Sequence, residues 1–111
     1  MNIIELNETN FSETTSTGTV LVDFYADWCG PCKRMMPTLD TLASKLDGKV
    51  TIAKVNVDKS PELSQKYQIR SIPALFVFKD GAVVNQTLGS KTESQLMEFV
   101  GMQGEEQEWE R

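Results

Sequence analysis

Apolar residues along the chain fall into short continuous runs that are separated by segments with helical spacing. Each continuous run of four to eight residues, rich in Val, Ile and Phe, predicts a β-strand. The runs are Ile3 to Leu6, Thr19 to Ala26, Val50 to Val57 and Ala74 to Phe78. A fifth strand, Ala82 to Leu88, is expected because the Asp80-Gly81 turn should return the chain antiparallel. The second run is apolar almost throughout, which is typical of a strand buried on both faces of a sheet.

The segment that follows the second strand has the spacing of an amphipathic helix. From Cys32 onward, apolar residues recur at steps of four, three and four, which places them on one face. They are Met35, Leu39, Leu42 and Leu46. Pro37 removes one backbone hydrogen bond and should kink this helix, and Asp47-Gly48 should end it.

Three shorter helices are also predicted. The first is the polar segment from Asn7 to Thr15, in which Phe11 is the main apolar anchor. Ser60 precedes Pro61, the arrangement of a helix cap followed by proline at the first helical position. Thr92 with Gln95 three residues later matches a capping box, and it opens the last helix.

The order of these elements is β-α-β-α-β-α-β-β-α, with Asp80-Gly81 as a two-residue hairpin turn between the last two strands. Alternating strands and helices favour parallel crossover units, and the hairpin adds an antiparallel part. We therefore expect an α/β fold in which a central mixed five-stranded sheet is flanked by four helices. Residues 1–104 should form one domain, and the acidic tail 105–111 should be flexible.

Composition narrows the range of functions. The 111 residues carry a net charge of −5, which argues against nucleic acid or an anionic membrane as the main partner. No apolar run approaches the roughly 18 residues of a membrane span. The first residues contain no basic region and no long apolar region, so we expect no secretory signal and a cytoplasmic location.

Cys29 and Cys32 are the only cysteines and follow directly after the second strand. One helical turn places residues i and i+3 on the same face, with Cα atoms about 5 Å apart, so the pair can form a disulfide. Three uses remain open at this point. The pair could be a redox site, a structural crosslink, or half of a metal or iron–sulfur site shared by two chains. The small ring removes little chain entropy, which weakens the crosslink, and the absence of histidine weakens the metal site.

Besides the cysteine pair, several short motifs along the chain match those of a known protein family. In order, they are Asp23-Phe24, Trp28-Cys29-Gly30-Pro31-Cys32-Lys33, Pro37, Ile72-Pro73 and Gly89. With these motifs the chain resembles the thioredoxin family over about residues 3 to 102. The resemblance implies a protein-disulfide reductase that acts on disulfide-containing target proteins. It also implies a monomer without a bound cofactor or metal, which an NADPH-dependent thioredoxin reductase returns to the dithiol form.

The two cysteines should have different roles. Cys29 is at the start of the predicted helix, where free N–H groups favour a thiolate, so we expect it to be the nucleophile. Cys32 is one turn deeper and should resolve the mixed disulfide. Gly30 and Pro31 should tune the pair, and the resemblance implies that proline favours a reductase. A disulfide oxidase or isomerase and a non-catalytic docking subunit of a larger enzyme are the alternatives.

Asp23 is a carboxylic acid inside an apolar strand. Burial of its charged form is costly, so its pKa should rise, and a raised pKa suits a group that accepts a proton from Cys32. Lys54, on the neighbouring predicted strand, is the expected partner of Asp23, a pairing that the resemblance also implies. The alternative is that Asp23 lies near the end of its strand and is in contact with water.

A docking surface for target proteins is expected beside the cysteines. From the residues alone, the bond before Pro73 should be trans, because few X–Pro bonds are cis. The resemblance instead implies a cis proline against the disulfide, with the backbone of Ile72 holding an extended peptide. Trp28, Ile72 and Gly89 should form a flat apolar patch, unless Trp28 belongs to the core.

Three features depart from the usual family pattern. Tyr25 stands where tryptophan is usual, Ser71 replaces a common glycine, and the acidic tail is additional. Ser71 could alter which targets dock. We expect Tyr25 and the tail to lie outside the redox chemistry.

Overall fold

The computed structural model describes residues 3–101, which form five strands and four helices in the predicted order. The strands are β1 (Ile3–Leu6), β2 (Thr19–Tyr25), β3 (Thr51–Asn56), β4 (Ala74–Lys79) and β5 (Ala82–Leu88). The helices are α1 (Phe11–Thr15), α2 (Gly30–Lys45), α3 (Pro61–Lys66) and α4 (Glu93–Phe99). The prediction for the tail 105–111 lies outside the described residues.

The strands form one mixed sheet with the order β1-β3-β2-β4-β5. β3 pairs in parallel with both β1 and β2, whereas β4 is antiparallel to β2 and β5 is antiparallel to β4. The predicted mixed five-stranded sheet is therefore confirmed. β2 lies in the middle, which explains why its side chains are apolar on both faces.

Each face of the sheet has its own hydrophobic core. Leu21 of β2 faces α2 and α4, where it packs with Leu39, Leu42 and Leu96. The opposite face packs against α1 and α3 and contains a cluster of aromatic rings: Phe11, Phe24, Tyr67, Phe76 and Phe78. The sheet is thus a rigid layer between two cores, and the ends of its central strands carry the candidate site.

Helix α2 begins at Gly30, two residues before the helical pattern became evident in the sequence. Cys29 is its N-cap residue, and Pro31 occupies the first turn, where proline is tolerated because its missing N–H would have no helical partner. The helix continues through Pro37 to Lys45. The first cysteine therefore lies at the positive end of the helix.

The shorter elements confirm some predicted termini and correct others. Asp80 and Gly81 both have positive φ angles, 50° and 91°, as the predicted hairpin turn requires. The capping box of Thr92 and Gln95 is formed. Ser60 occupies the N-cap position of α3, but the prediction that its side chain caps the helix is wrong, because it makes no capping hydrogen bond.

Helix α1 is shorter than the segment predicted for it. It begins at Phe11 instead of Asn7. The carboxamide oxygen of Asn7 accepts a hydrogen bond from the N–H of Thr9 at 2.8 Å, and that of Asn10 accepts one from the N–H of Asn7 at 2.8 Å. These side chains bond to the local backbone in a turn and so replace the first turn of helix.

Candidate active site

A disulfide joins Cys29 and Cys32 at the N-terminus of α2, with the two Cα atoms 5.3 Å apart. Sγ of Cys29 accepts a hydrogen bond from the backbone N–H of Cys32 at 3.2 Å. Cys29 is 5% exposed and Cys32 is fully buried. The helix terminus therefore directs an N–H group at the sulfur nearer to the surface, where it favours negative charge.

The loop before β4 lies against this disulfide. The Ile72–Pro73 bond is cis, so the trans bond expected from the residues alone is wrong, and the form implied by the resemblance is present. The carbonyl oxygen of Ile72 is 3.9 Å from Sγ of Cys29. The N–H of Gly89 donates a hydrogen bond to the carbonyl of Pro73 at 2.8 Å, which brings Gly89 to the same edge.

Trp28 lies on the surface next to the cysteines. Its side chain is 69% exposed, so the alternative that it belongs to the core is wrong. The indole Nε1–H donates a hydrogen bond to Oδ2 of Asp58 at 2.8 Å. Asp58 comes from the loop after β3 and is a contact that the sequence did not indicate, because the two residues are far apart in the chain.

Ser90 also contacts the start of α2. Its hydroxyl donates a hydrogen bond to the carbonyl of Pro31 at 3.2 Å. This bond links the loop after β5 to the segment between the two cysteines. No local pattern around Ser90 distinguishes it from any other serine in a loop, so sequence reasoning could not have found it.

Asp23 is fully buried in the middle of the sheet. Within residues 3–101, neither oxygen of its carboxyl group has a hydrogen-bond partner. Burial raises its pKa from 3.8 to about 7, and the positive charge of Lys54 opposes this rise. The alternative in which Asp23 is in contact with water is therefore wrong, and the group can exchange a proton near neutral pH.

Lys54 lies opposite Asp23 in the β2–β3 register. Its ammonium group nevertheless forms an ion pair with Oε1 of Glu5 at 3.8 Å and lies 5.2 Å from the centre of the Tyr25 ring. The Tyr25 hydroxyl in turn donates a hydrogen bond to the Glu5 carboxylate. Tyr25 also belongs to the same buried cluster as the two cysteines, so this residue, expected to lie outside the redox chemistry, is next to the site.

Membrane-spanning helices and metal-binding clusters are both absent from residues 3–101. No helix within residues 3–101 is long and apolar enough to cross a membrane. In the same part of the chain, no group of three or more His, Cys, Asp or Glu side chains is arranged to hold a metal ion.

A disulfide that closes across one helical turn at the start of a helix is typical of a thiol–disulfide oxidoreductase. The thioredoxin family model matches residues 2–102. A thioredoxin of Staphylococcus haemolyticus is 44% identical over 100 residues, which cover 90% of this chain and 96% of that protein. A thioredoxin of Chlamydia trachomatis is 42% identical over 95 residues, which cover 86% and 92%.

The chain belongs to the thioredoxin family. Its sheet and helices have the thioredoxin fold, and its Cys29–Cys32 pair is the redox-active pair of a protein-disulfide reductase. Membership of the family implies disulfide-containing substrates and a thioredoxin reductase as partner.

Proposed function

We propose that this protein reduces target disulfides in two steps, with Cys29 as the nucleophile. The Cys29 thiolate attacks one sulfur of the target disulfide, a mixed disulfide forms, and the other target sulfur leaves as a thiolate. Cys32 then attacks the Cys29 sulfur, which releases the reduced target and closes the Cys29–Cys32 disulfide. Two electrons pass to the target. The observation that carries this assignment is the position of Cys29 as the more exposed N-cap residue.

In this proposal Asp23 accepts the proton that Cys32 must lose before it attacks. A group with a pKa of about 7 can accept and return a proton at neutral pH. Lys54 is the cationic partner whose field moderates the pKa of Asp23.

Docking of the target is assigned to the edge formed by Trp28, Ile72, Pro73 and Gly89. The exposed indole offers apolar area, and the Ile72 backbone beside the Cys29 sulfur can pair with an extended peptide. Gly30 and Pro31 tune the dithiol by setting the backbone between the two sulfurs. Their position in the first turn of α2 supports this role.

The reducing equivalents are proposed to come from NADPH through a flavoprotein thioredoxin reductase, so that the protein acts as a monomeric electron carrier. A cytoplasmic location accompanies this proposal, because a dithiol that must be regenerated functions in a reducing compartment. The net charge of −5 is consistent with protein partners rather than nucleic acid.

Insulin reduction tests the proposal, with NADPH and a thioredoxin reductase in the assay and turbidity as the readout. The wild-type protein should precipitate the insulin B chain, and Cys29→Ser should not. Cys32→Ser should accumulate a covalent adduct with the target, visible by mass spectrometry and reversed by dithiothreitol. Release of targets from Cys32→Ser at the normal rate would show that Cys32 is not the resolving residue.

A further inference from the structure

Three charged side chains form a row across three neighbouring strands. In the parallel registers, Glu5 of β1 is paired with Lys54 of β3, and Lys54 is paired with Asp23 of β2. Partners in register project from the same face of a sheet. A single cation therefore lies between two carboxyl groups, one exposed and one buried.

The contacts of Lys54 are directed toward the outer end of this row. Nζ lies 3.8 Å from Glu5 and is placed over the Tyr25 ring, whereas the Asp23 oxygens have no hydrogen-bond partner within the described residues. The Lys54 side chain is 28% exposed, so water solvates part of its charge. The cation influences Asp23 through space without a direct ion pair.

Tyr25 holds the outer carboxylate in this position. Its hydroxyl oxygen lies 3.0 and 3.1 Å from the two oxygens of Glu5 and donates its hydrogen to that group. Burial and the hydrogen bond to Glu5 raise the pKa of Tyr25 to about 12. The hydroxyl thus remains a hydrogen-bond donor throughout the neutral pH range.

We propose that Glu5, held by the Tyr25 hydroxyl, is a positioning residue that keeps the Lys54 ammonium group at the outer end of the row and away from the Asp23 carboxylate. Without the Glu5 charge, Lys54 is free to turn toward Asp23. The buried carboxylate then gains a partner for its charged form and gives up its proton at lower pH. Glu5 and Tyr25 thereby set the pH at which the buried acid can accept a proton.

Within residues 3–101, the charge that acts on the pKa of Asp23 is that of Lys54. On the other side of Asp23, its partner in β4 is the apolar residue Leu75. Asp27 and Asn56 act on Tyr25 at the outer end. The charged residues in the first half of α2, which packs over this face, are solvent-exposed: Lys33, Arg34 and Asp40.

The titration of Asp23 can be followed directly by ¹³C NMR of its carboxyl carbon in the oxidised protein. We expect Glu5→Gln to lower the titration midpoint of Asp23 by roughly half a pH unit or more. Loss of the Glu5 charge and movement of the Lys54 ammonium group toward Asp23 both stabilise the charged form of the Asp23 carboxyl group. Tyr25→Phe keeps the ring but removes the hydroxyl, and should give a smaller shift in the same direction. Glu13→Gln on α1 changes the net charge equally and should leave the midpoint in place.

A double-mutant comparison separates positioning from a direct field effect. In a Lys54→Met background, Glu5→Gln should shift the Asp23 midpoint much less than it does in the wild type. An undiminished shift in that background, or no shift in the wild type, would overturn the inference. Circular dichroism of each variant shows whether it is folded.

The effect of Glu5 on the titration of Asp23 does not depend on the proposed role of Asp23 in catalysis. Only the expected effect on reaction kinetics rests on that role. If the proposed role is correct, the pH profile of mixed-disulfide resolution moves with the NMR midpoint in Glu5→Gln. A midpoint that moves while the pH profile stays in place would contradict proton transfer by Asp23 and leave the positioning role of Glu5 intact.

Discussion

At the scale of single residues, the buried carboxyl group of Asp23 works against folding at neutral pH. Its charged form has no hydrogen-bond partner within the described residues, and burial raises its pKa from 3.8 to about 7. The folded protein therefore retains a proton that the unfolded chain loses as the pH rises from about 4 to 7. A chain that keeps such a group gives up stability in exchange for a buried acid that titrates near neutral pH.

Replacement of this acid should stabilise the protein in a pH-dependent manner. Asp23→Asn removes the charge but keeps the shape, so its stability relative to the wild type should be nearly unchanged at about pH 4. The difference should grow up to about pH 7 and then level off at a gain on the order of 4 kcal/mol. Urea unfolding of both proteins across this range measures it. A difference independent of pH would contradict the raised pKa.

The exposed indole of Trp28 is expected to contribute to target docking more than to stability. Trp28→Ala should lower the second-order rate of insulin reduction about tenfold, equivalent to roughly 1.4 kcal/mol, because aromatic anchors dominate protein contacts. The free energy of unfolding should change little, since the side chain is 69% exposed. Val84→Ala provides a control at a similarly exposed apolar residue on β5. Equal losses of rate in both variants would contradict a specific docking role.

At the scale of elements, the ends of helices decide where functional groups lie. Because α2 begins at Gly30, the backbone N–H of Cys32 in its first turn is directed at the Cys29 sulfur. One turn later, Cys32 is fully buried by the same helix. A single helix start thus produces the chemical difference between two identical side chains.

The capping box of α4 should have a measurable effect on stability. The Thr92 hydroxyl accepts a hydrogen bond from the N–H of Gln95, and the Gln95 side chain accepts one from the N–H of Thr92. Thr92→Ala should cost about 1 kcal/mol, measured by urea unfolding. Ser94→Ala, in the same exposed turn, is the matched control and should stay within roughly 0.5 kcal/mol of the wild type. Equal effects of the two substitutions would show that the cap is not stabilising.

At the scale of the whole molecule, one sheet supports two cores and thereby couples them. β2 contributes Leu21 to the core beneath α2 and α4, and contributes Val20 and Val22 to the aromatic core on the opposite face. Loss of packing on either side removes support from the same central strand. We therefore expect the two cores to unfold together.

A cavity in one core tests this coupling. Leu39→Ala removes a fully buried side chain on the α2 face and should cost about 2–5 kcal/mol. In a Trp109→Phe background, Trp28 fluorescence and far-ultraviolet circular dichroism should still report a single coincident transition. Two separated transitions would indicate that the α2 face unfolds independently of the sheet.

Several elements could be predicted from the sequence because their signals are local. Buried strands appear as continuous apolar runs, and the hairpin and capping box depend on residues next to each other in the chain. Predictions failed at short polar side chains, which can bond to the local backbone in more than one way. Asn7 and Asn10 turn the chain before α1, and the Ser60 side chain does not cap α3.

The surroundings of the site were only partly predictable because they depend on contacts between segments that are remote in the chain. Glu5, Lys54 and Tyr25 meet because three strands pair in one particular register. The bond from Trp28 to Asp58 likewise joins two loops that are distant in the chain. A contact between remote segments leaves no periodic signal in either of them, so composition and spacing could not reveal it.

The sequence by itself determined the element order, the family and the two sulfurs, since each follows from short motifs and their order along the chain. Only the tertiary structure decided the strand order, the burial of Asp23 and the partner of Lys54. The physical reason is that charges act through space. The pKa of a buried acid depends on groups brought near it by strand pairing, and Lys54 lies between two carboxyl groups only when the sheet is assembled.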